Sequence, residues 1–233
     1  MKTHRFYVKD FSVLDSTVHD EELRHQLSKV LRYKTGDVVH VFNEDVGEWQ
    51  VSIKDMKKGK VVFEKIQQVK IEPPKDTYRP RKILYMSVIK NSNFDIVVEK
   101  ATELGITEII PVVTERTIKT GINTDRLKKI IKEATEQSGR IDMMKIGGDV
   151  IVLHDAIAQA KLYADQVFFG HINDASMNHP ESAKSCALFI GPEGGWTDKE
   201  IQLFVNENVL PISLGKYVLR AETAAIVGCS RIV

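Results

Sequence analysis

The 233-residue sequence predicts an α/β protein in two parts, a small and mostly β region followed by a mainly parallel sheet. Three observations predict it. After residue 81, apolar runs of strand length alternate with amphipathic helical stretches, the rhythm of βαβ units. Before residue 72 the apolar runs are short, closely spaced and separated by turns, as in a small barrel. Between the two, Pro73, Pro74 and Pro80 stand among alternating charges, which disfavours helix and central strand alike. The expected limits are therefore 1–72 for the first domain, 73–80 for a linker and 81–233 for the second domain.

Taken in order, residues 5–8 open a strand. Asp20, Glu21 and Glu22 begin a helix whose apolar face is Leu23, Leu27, Val30 and Leu31, with Gly36 just beyond its end. Runs 37–42 and 48–53 flank a hairpin loop at 43–47, and Lys57-Lys58-Gly59 turns the chain into a strand over 60–66. In the second domain, 83–89 is a strand. Asn91 or Ser92 caps a helix that runs to Leu104 and stops at Gly105. A strand over 106–113 precedes a helix capped by Asn123 or Thr124, with Leu127, Ile130, Ile131 and Ala134 facing the core and Gly139 at its end. Runs 167–170 and 186–190 are further strands. There is no internal repeat and no low-complexity tract. Sequence physics alone favours an unknotted doubly wound sheet, because knots are rare.

Composition excludes several classes. With 42% hydrophobic and 28% charged residues the chain is an ordinary soluble globular protein. No apolar run approaches the ~20 residues of a membrane span, and the N-terminus has no apolar signal core, so a cytoplasmic protein is expected. Cys186 and Cys229 lie in apolar settings without metal-ligand spacing and read as reduced core thiols. No cluster at zinc spacing appears, and no metal is expected. His171 and His179 read as surface residues, since a ligand site needs companions. The net charge is only +1, with 33 Lys+Arg against 32 Asp+Glu, so any grip on nucleic acid requires positive charge gathered on one face.

Two stretches carry the chemistry. Ile190-Gly191-Pro192-Glu193-Gly194-Gly195-Trp196 follows a buried strand and precedes Thr197-Asp198-Lys199-Glu200, a capping box that starts a helix. A strand, a Gly-rich bend and a helix N-terminus make a ligand cradle in an α/β sheet, or else an ordinary tight turn. The second stretch runs from Leu214-Gly215 through Val218-Leu219-Arg220-Ala221-Glu222-Thr223-Ala224 after a short apolar run. Two such bends after neighbouring strands would face one pocket from two sides. Neither is a dinucleotide fingerprint or a P-loop, and no Gly-x-Ser-x-Gly elbow is present.

Together these stretches resemble the RsmE family, bacterial enzymes that methylate N3 of a uridine in 16S ribosomal RNA. Further blocks are similar: Glu99-Lys100-Ala101-Thr102-Glu103-Leu104-Gly105-Ile106, then Glu133-Ala134 with Gln137-Ser138 and Arg140, and His25 with Lys29-Val30-Leu31-Arg32. The resemblance covers nearly the whole chain. It implies a SPOUT-type parallel sheet with a C-terminal trefoil knot that binds S-adenosylmethionine, preceded by a PUA-like β-barrel that binds RNA. It implies 16S rRNA or the assembled small subunit as partner, and a homodimer. Ile190, Gly191, Pro192, Glu193, Gly194 and Gly195 are expected to border the cofactor. Leu214, Gly215, Val218, Leu219, Arg220 and Thr223 are expected to close around it.

The cofactor carries the activated methyl, so the protein's tasks are orientation and activation of the acceptor. Loss of the N3 proton places negative charge on the flanking uracil carbonyls, which a cation stabilises. Arg220 is the candidate for that role, with Glu222 as proton acceptor or as orienter of Arg220; alternatively the two only pair and brace the loop. Arg24, His25, Lys29 and Arg32 share helical spacing. They form either a basic edge for RNA phosphates or a solvated face. The resemblance favours RNA, chiefly for Lys29 and Arg32, with Arg5 added and Lys90, Arg116 and Arg140 extending the surface. In the family reading Glu103 and Arg140 line the RNA side of the cleft or brace the knot; otherwise each is an ordinary solvated or capping helix-end residue.

Two departures stand out. Met143-Met144-Lys145 replaces a Val-Pro-Glu pattern, and the end at Arg231-Ile232-Val233 leaves a short last helix near the expected dimer surface. Two other readings stay open: a SPOUT enzyme acting on a ribose 2′-hydroxyl or a transfer-RNA base, and a non-catalytic RNA-binding assembly factor.

Overall fold

Side chains that alternate between two buried faces mark the central strands of the second domain, and they set its architecture. The computed structural model describes residues 3–57, 59–70, 80–118, 121–171 and 185–233. Lys58 of the expected turn, most of the expected linker and His179 lie outside the described residues. Two compact units are present. One holds the described residues up to 70 together with 135–142; the other holds 80–134 and 143–233.

In the first unit, the described strands are β1 (Arg5–Tyr7), β2 (Thr17–Val18), β3 (Val38–Asn43), β4 (Gly47–Lys57) and β5 (Lys60–Lys70). They form one sheet in the order β1-β3-β4-β5-β2, with β1 parallel to β3 and the remaining pairs antiparallel. Three register shifts interrupt the long β4–β5 ladder, irregularities that bend a strand. The inward side chains, including Phe6, Val39, Val41, Val51, Ile53 and Phe63, make one buried cluster. Buried Asn43 closes the β3–β4 hairpin. Its amide donates to the carbonyls of Val8, Lys9 and Phe11 and its oxygen accepts from Asp45 and Val46 N–H, so a polar side chain inside the core is fully bonded.

The expected helix is α1 (Glu21–His25), capped by Asp20, continuing as a π-helical turn over Gln26–Val30. The wider turn, closed by Leu31 N–H on Gln26 O and Tyr33 N–H on Leu27 O, rotates the apolar face. Leu23 and Leu27 are buried, but Val30, expected inside, is 63% exposed.

Arg5 is held inside this unit. Its Nε and Nη2 donate to Glu48 Oε1 and Oε2 at 3.0 and 2.9 Å. Its Nη1 donates to the carbonyls of Thr135 and Glu136, and Nη2 also to that of Arg140. His40 Nδ1 lies 2.7 Å from Glu48 Oε1. Burial alone would raise the Glu48 carboxyl, but the hydrogen bonds from Arg5 and His40 outweigh it and hold the group below the usual carboxylate range.

The second unit contains β6 (Lys82–Ser87), α2 (Asn91–Glu103), β7 (Glu108–Val113), α3 (Thr124–Ser138, whose last residues belong to the first unit), β8 (Lys145–Ile146) and β9 (Ile151–Val152). It continues with α4 (Leu153–Tyr163), β10 (Gln166–His171), β11 (Cys186–Ile190), α5 (Asp198–Asn206), β12 (Leu210–Ser213) and α6 (Ala221–Ile232). Every described strand pair is parallel, in the order β12-β10-β11-β6-β7-β8, with β9 also on β7. Leu84, Met86, Leu188 and Ile190 pack with α2, α3 and α6 on one face. Ile83, Tyr85, Ala187 and Phe189 pack with α4 and α5 on the other. Burial on both faces is what a parallel sheet requires.

Three details differ from expectation. Neither Asn91 nor Ser92 caps α2, since the N-cap is Lys90, which makes no side-chain cap bond. The strand expected from 106 starts at Glu108. Helix α4 was not foreseen at all. Cys186 and Cys229 are free and buried as expected; burial raises both thiols, Cys229 to about 12.

Arg5→Ala leaves Glu48 buried beside His40 alone and is expected to destabilise the protein by about 3 kcal/mol at neutral pH, as removal of one partner from a buried pair does. Because the folded Glu48 pKa is depressed, the pair's contribution is complete above the ordinary carboxylate value and fades as pH falls below about 4. Urea unfolding of both proteins at pH 7 and pH 3.5 checks this: the gap between them should narrow in acid.

Candidate active site

Strands β10, β11 and β12 end on the same edge of the sheet because they run parallel, and their C-terminal ends surround one cavity of about 330 Å³. The bend after β11 contributes residues 190–196. The bend after β12 contributes Leu214, Gly215, Tyr217, Val218 and Leu219. The two bends were expected to follow neighbouring strands, but β10 lies between β11 and β12 in the sheet. It supplies Gly170 and His171 to the cavity wall. A Cβ at Gly170 would sit 2.9 Å from Leu214 and 3.0 Å from Ile190, so the absent side chain lets the bends converge across it. Ala221 and Ala224 of α6, Ile201 and Arg116 complete the lining.

The first bend is a built structure. Gly195 N–H donates to Pro192 O at 2.9 Å, and Gly195 takes φ +66°, which glycine adopts without strain. Trp196 folds back over Gly191, donates Nε1–H to Gly170 O at 3.0 Å and meets Phe204 edge-on. The capping box is present: Thr197 Oγ1 accepts from Glu200 N–H and Glu200 Oε2 from Thr197 N–H. Glu200 Oε1 accepts from Glu115 N–H at 2.9 Å. Arg116 Nη1 donates to Gly194 O at 2.7 Å and Trp196 O at 3.2 Å. The start of α2 reaches the first bend and the first turn of α6, with Lys90 N–H on Glu193 Oε1 at 3.3 Å and Asn93 Nδ2 on Glu222 Oε2 at 3.4 Å.

Of the expected cofactor residues, Ile190 through Gly195, Leu214, Gly215, Val218 and Leu219 line the cavity; Arg220 and Thr223 do not. Arg220 is the N-cap of α6 and is exposed; its carbonyl accepts from Ala224 N–H at 2.8 Å, while its side chain makes no hydrogen bond or ion pair among the described residues. The alternative in which Arg220 and Glu222 brace each other is not what the structure contains, because Glu222 pairs with Asn93. His171, read from sequence as a surface residue, lines the cavity and lies 5.7 Å from the Phe169 ring. Trp196, Tyr217, Ala221 and Ala224 were not singled out. The signal that would have found His171 is its place at the C-terminal end of a parallel strand.

The basic candidates separate into two groups. In the first unit, His25, Lys29 and Arg32 are exposed, Arg32 at φ +59°. Arg24 is paired with Glu21. Arg5 and Arg140 were expected on an RNA-facing surface, but their side chains are only 14% and 11% exposed, bonded to Glu48 and Asp142 respectively. In the second unit Lys90 is exposed, and Arg116 is tied to the first glycine bend. Glu103 pairs with Lys100 on the surface. No group of residues suited to a metal occurs among the described residues.

Gly191→Ala places a Cβ 3.2–3.5 Å from the Trp196 ring, which its bond to Gly170 and its contact with Phe204 keep from yielding. Expected is a loss of about 1–3 kcal/mol, the cost of overpacking, with a changed tryptophan fluorescence; denaturant titration followed by emission measures both.

The RNA methyltransferase domain family matches residues 77–233, and the RNA methyltransferase PUA domain family matches residues 20–66. The chain is 31% identical to a Ribosomal RNA small subunit methyltransferase E of Rickettsia conorii, covering 100% of this chain and 96% of that one. It is 30% identical to the protein of the same name from Synechocystis, covering 98% and 77%. Among solved structures it is similar to a methyltransferase of Legionella pneumophila in complex with its bound cofactor SAM, with a TM-score of 0.84, 28% identity, and coverage of 99% and 96%. Both domain matches and the full-length relatives agree: the chain belongs to the RNA methyltransferase family of ribosomal RNA small subunit methyltransferase E.

Proposed function

We propose that this protein transfers the methyl group of S-adenosylmethionine to N3 of a uridine in 16S ribosomal RNA, acting in the cytoplasm as a homodimer. In this reading residues 1–72 present the RNA, 73–80 link, and 81–233 carry out the transfer with their C-terminal segment threaded as a trefoil knot. The observation that carries the proposal is the convergence of both glycine bends on one cavity in a chain of this family. Its volume of about 330 Å³ falls in the range of small-molecule sites. The residues fit the cofactor. Leu214, Val218 and Leu219 offer apolar contact to a planar base, and Gly191, Gly194 and Gly195 bring main chain to the cavity wall with no side chain in the way.

When bound, the cofactor supplies an activated methyl group. The protein's own contribution is to hold the acceptor and to favour the N3-deprotonated uracil. Arg220, exposed next to lining residues 219 and 221 and with no side-chain partner among the described residues, is the cation for the developing charge on the uracil oxygens. Glu222, fixed by Asn93, is the candidate proton acceptor. His25, Lys29 and Arg32 are exposed cationic candidates for RNA phosphates in the first unit.

Incubation of purified small subunits, free 16S rRNA and transfer RNA with labelled cofactor tests the reading. 3-Methyluridine should form in the small-subunit RNA; label confined to transfer RNA or to ribose-methylated nucleosides would sink the target assignment, and no cofactor binding by calorimetry would sink the enzyme. Arg220→Ala should lower kcat by about 100-fold, the cost of removing one donor to developing negative charge, while cofactor affinity is retained. Equal losses in both would make Arg220 a binding residue. Lys29→Ala combined with Arg32→Ala should reduce the slope of log affinity for RNA against log salt by about 1–2, one counterion per lost phosphate contact.

A further inference from the structure

Arg116 was expected to face RNA, yet it is built into the cavity wall. Its stem lies against Gly194, where a Cβ would come within 3.2 Å of Arg116 Cδ and 3.3 Å of its Cβ. One nitrogen, Nη1, is engaged by two carbonyls of the first bend. Nε and Nη2 have no partner among the described residues, which leaves three N–H donors of a rigid fork. Among the lining residues Arg116 is the one permanent cation and Glu193 the one carboxylate. Arg116 reaches the first bend from the turn after β7 and Glu193 lies on that bend, so the wall carries both signs of charge.

We propose that Arg116 is a specificity-determining residue of the cofactor site, binding the α-carboxylate of the cofactor's amino-acid end through Nε and Nη2, with Glu193 opposite the ammonium. This rests on the reading of the cavity as the S-adenosylmethionine site. The physical argument is geometric. The bonds to Gly194 O and Trp196 O fix the plane of the guanidinium, and a fixed fork matches a carboxylate with two parallel hydrogen bonds. Lysine could hold the charge but not the fork. The same two bonds mean that Arg116 also braces the bend, so the test must separate bracing from recognition.

The test uses calorimetric dissociation constants for two ligands: S-adenosylhomocysteine, and its decarboxylated analogue, which keeps the adenosine, thioether and ammonium. The wild-type protein should bind the first about 10- to 100-fold more tightly, the span expected for charged hydrogen bonds. In Arg116→Ala that ratio should fall towards one, with nearly all of the loss on S-adenosylhomocysteine, and Arg116→Lys should recover part of it. A bracing role alone weakens both ligands equally and leaves the ratio unchanged, which would overturn the proposal; so would an Arg116→Ala protein that binds both as the wild type does. If the wild type binds neither ligand, the cofactor reading of the cavity itself fails.

Discussion

Glu200 is 5% exposed, and both of its carboxylate oxygens are bonded to main-chain N–H groups. One belongs to Thr197, at the start of α5, and the other to Glu115, in the turn after β7. A buried carboxylate is tolerated only with such partners, and charge-assisted bonds of this kind are the stronger ones. The consequence is that the end of the glycine bend and the start of α5 cannot move independently of the turn after β7. Arg116 repeats the connection one residue later, from the same turn to Gly194 and Trp196. The cavity wall is therefore preorganised by the sheet that carries it, and ligand binding need not bear the entropy of ordering a glycine-rich loop.

That arrangement depends on topology as much as on contacts. β11 pairs with β6 in register, Cys186 beside Lys82, and β10 stands between β11 and β12. Residues distant in the chain are thus delivered to one edge of one sheet. The Trp196 indole closes the arrangement by donating to Gly170 at the end of β10 while packing on Phe204 of α5.

The legible part of the sequence was local. The capping box at Thr197 and Glu200, the cap at Asn123 on Arg126 N–H and the stops at Gly105 and Gly139 are interactions within a few residues, and the structure contains each. The two bends were recognisable by composition, and resemblance joined them. What stayed hidden was of another kind. Helix α4 has no side-chain cap, and although Leu153, Ala156, Ile157 and Ala160 keep helical spacing, half of that buried face is alanine, so the cap was missing and the apolar signal was weak. The π-helical turn shifted Val30 outward, which no 3.6-residue period can anticipate. His171 looked isolated because the residues it joins lie some twenty and more positions further on.

Charge shows the same limit. A basic residue in sequence is a candidate contact until its partner is known, and partners here come from far along the chain. Arg5 finds Glu48 and the carbonyls of 135, 136 and 140, and Arg116 finds the bend at 194–196. Each is held by the fold. Of the basic candidates, His25, Lys29 and Arg32 stay exposed without being tied down in one unit, and Lys90 and Arg220 in the other. With a net charge of only +1, the placement of cations counts for more than an overall positive field. In the proposed reading, phosphate contacts within each unit serve to position the RNA, so what matters is where a cation is placed rather than how many there are.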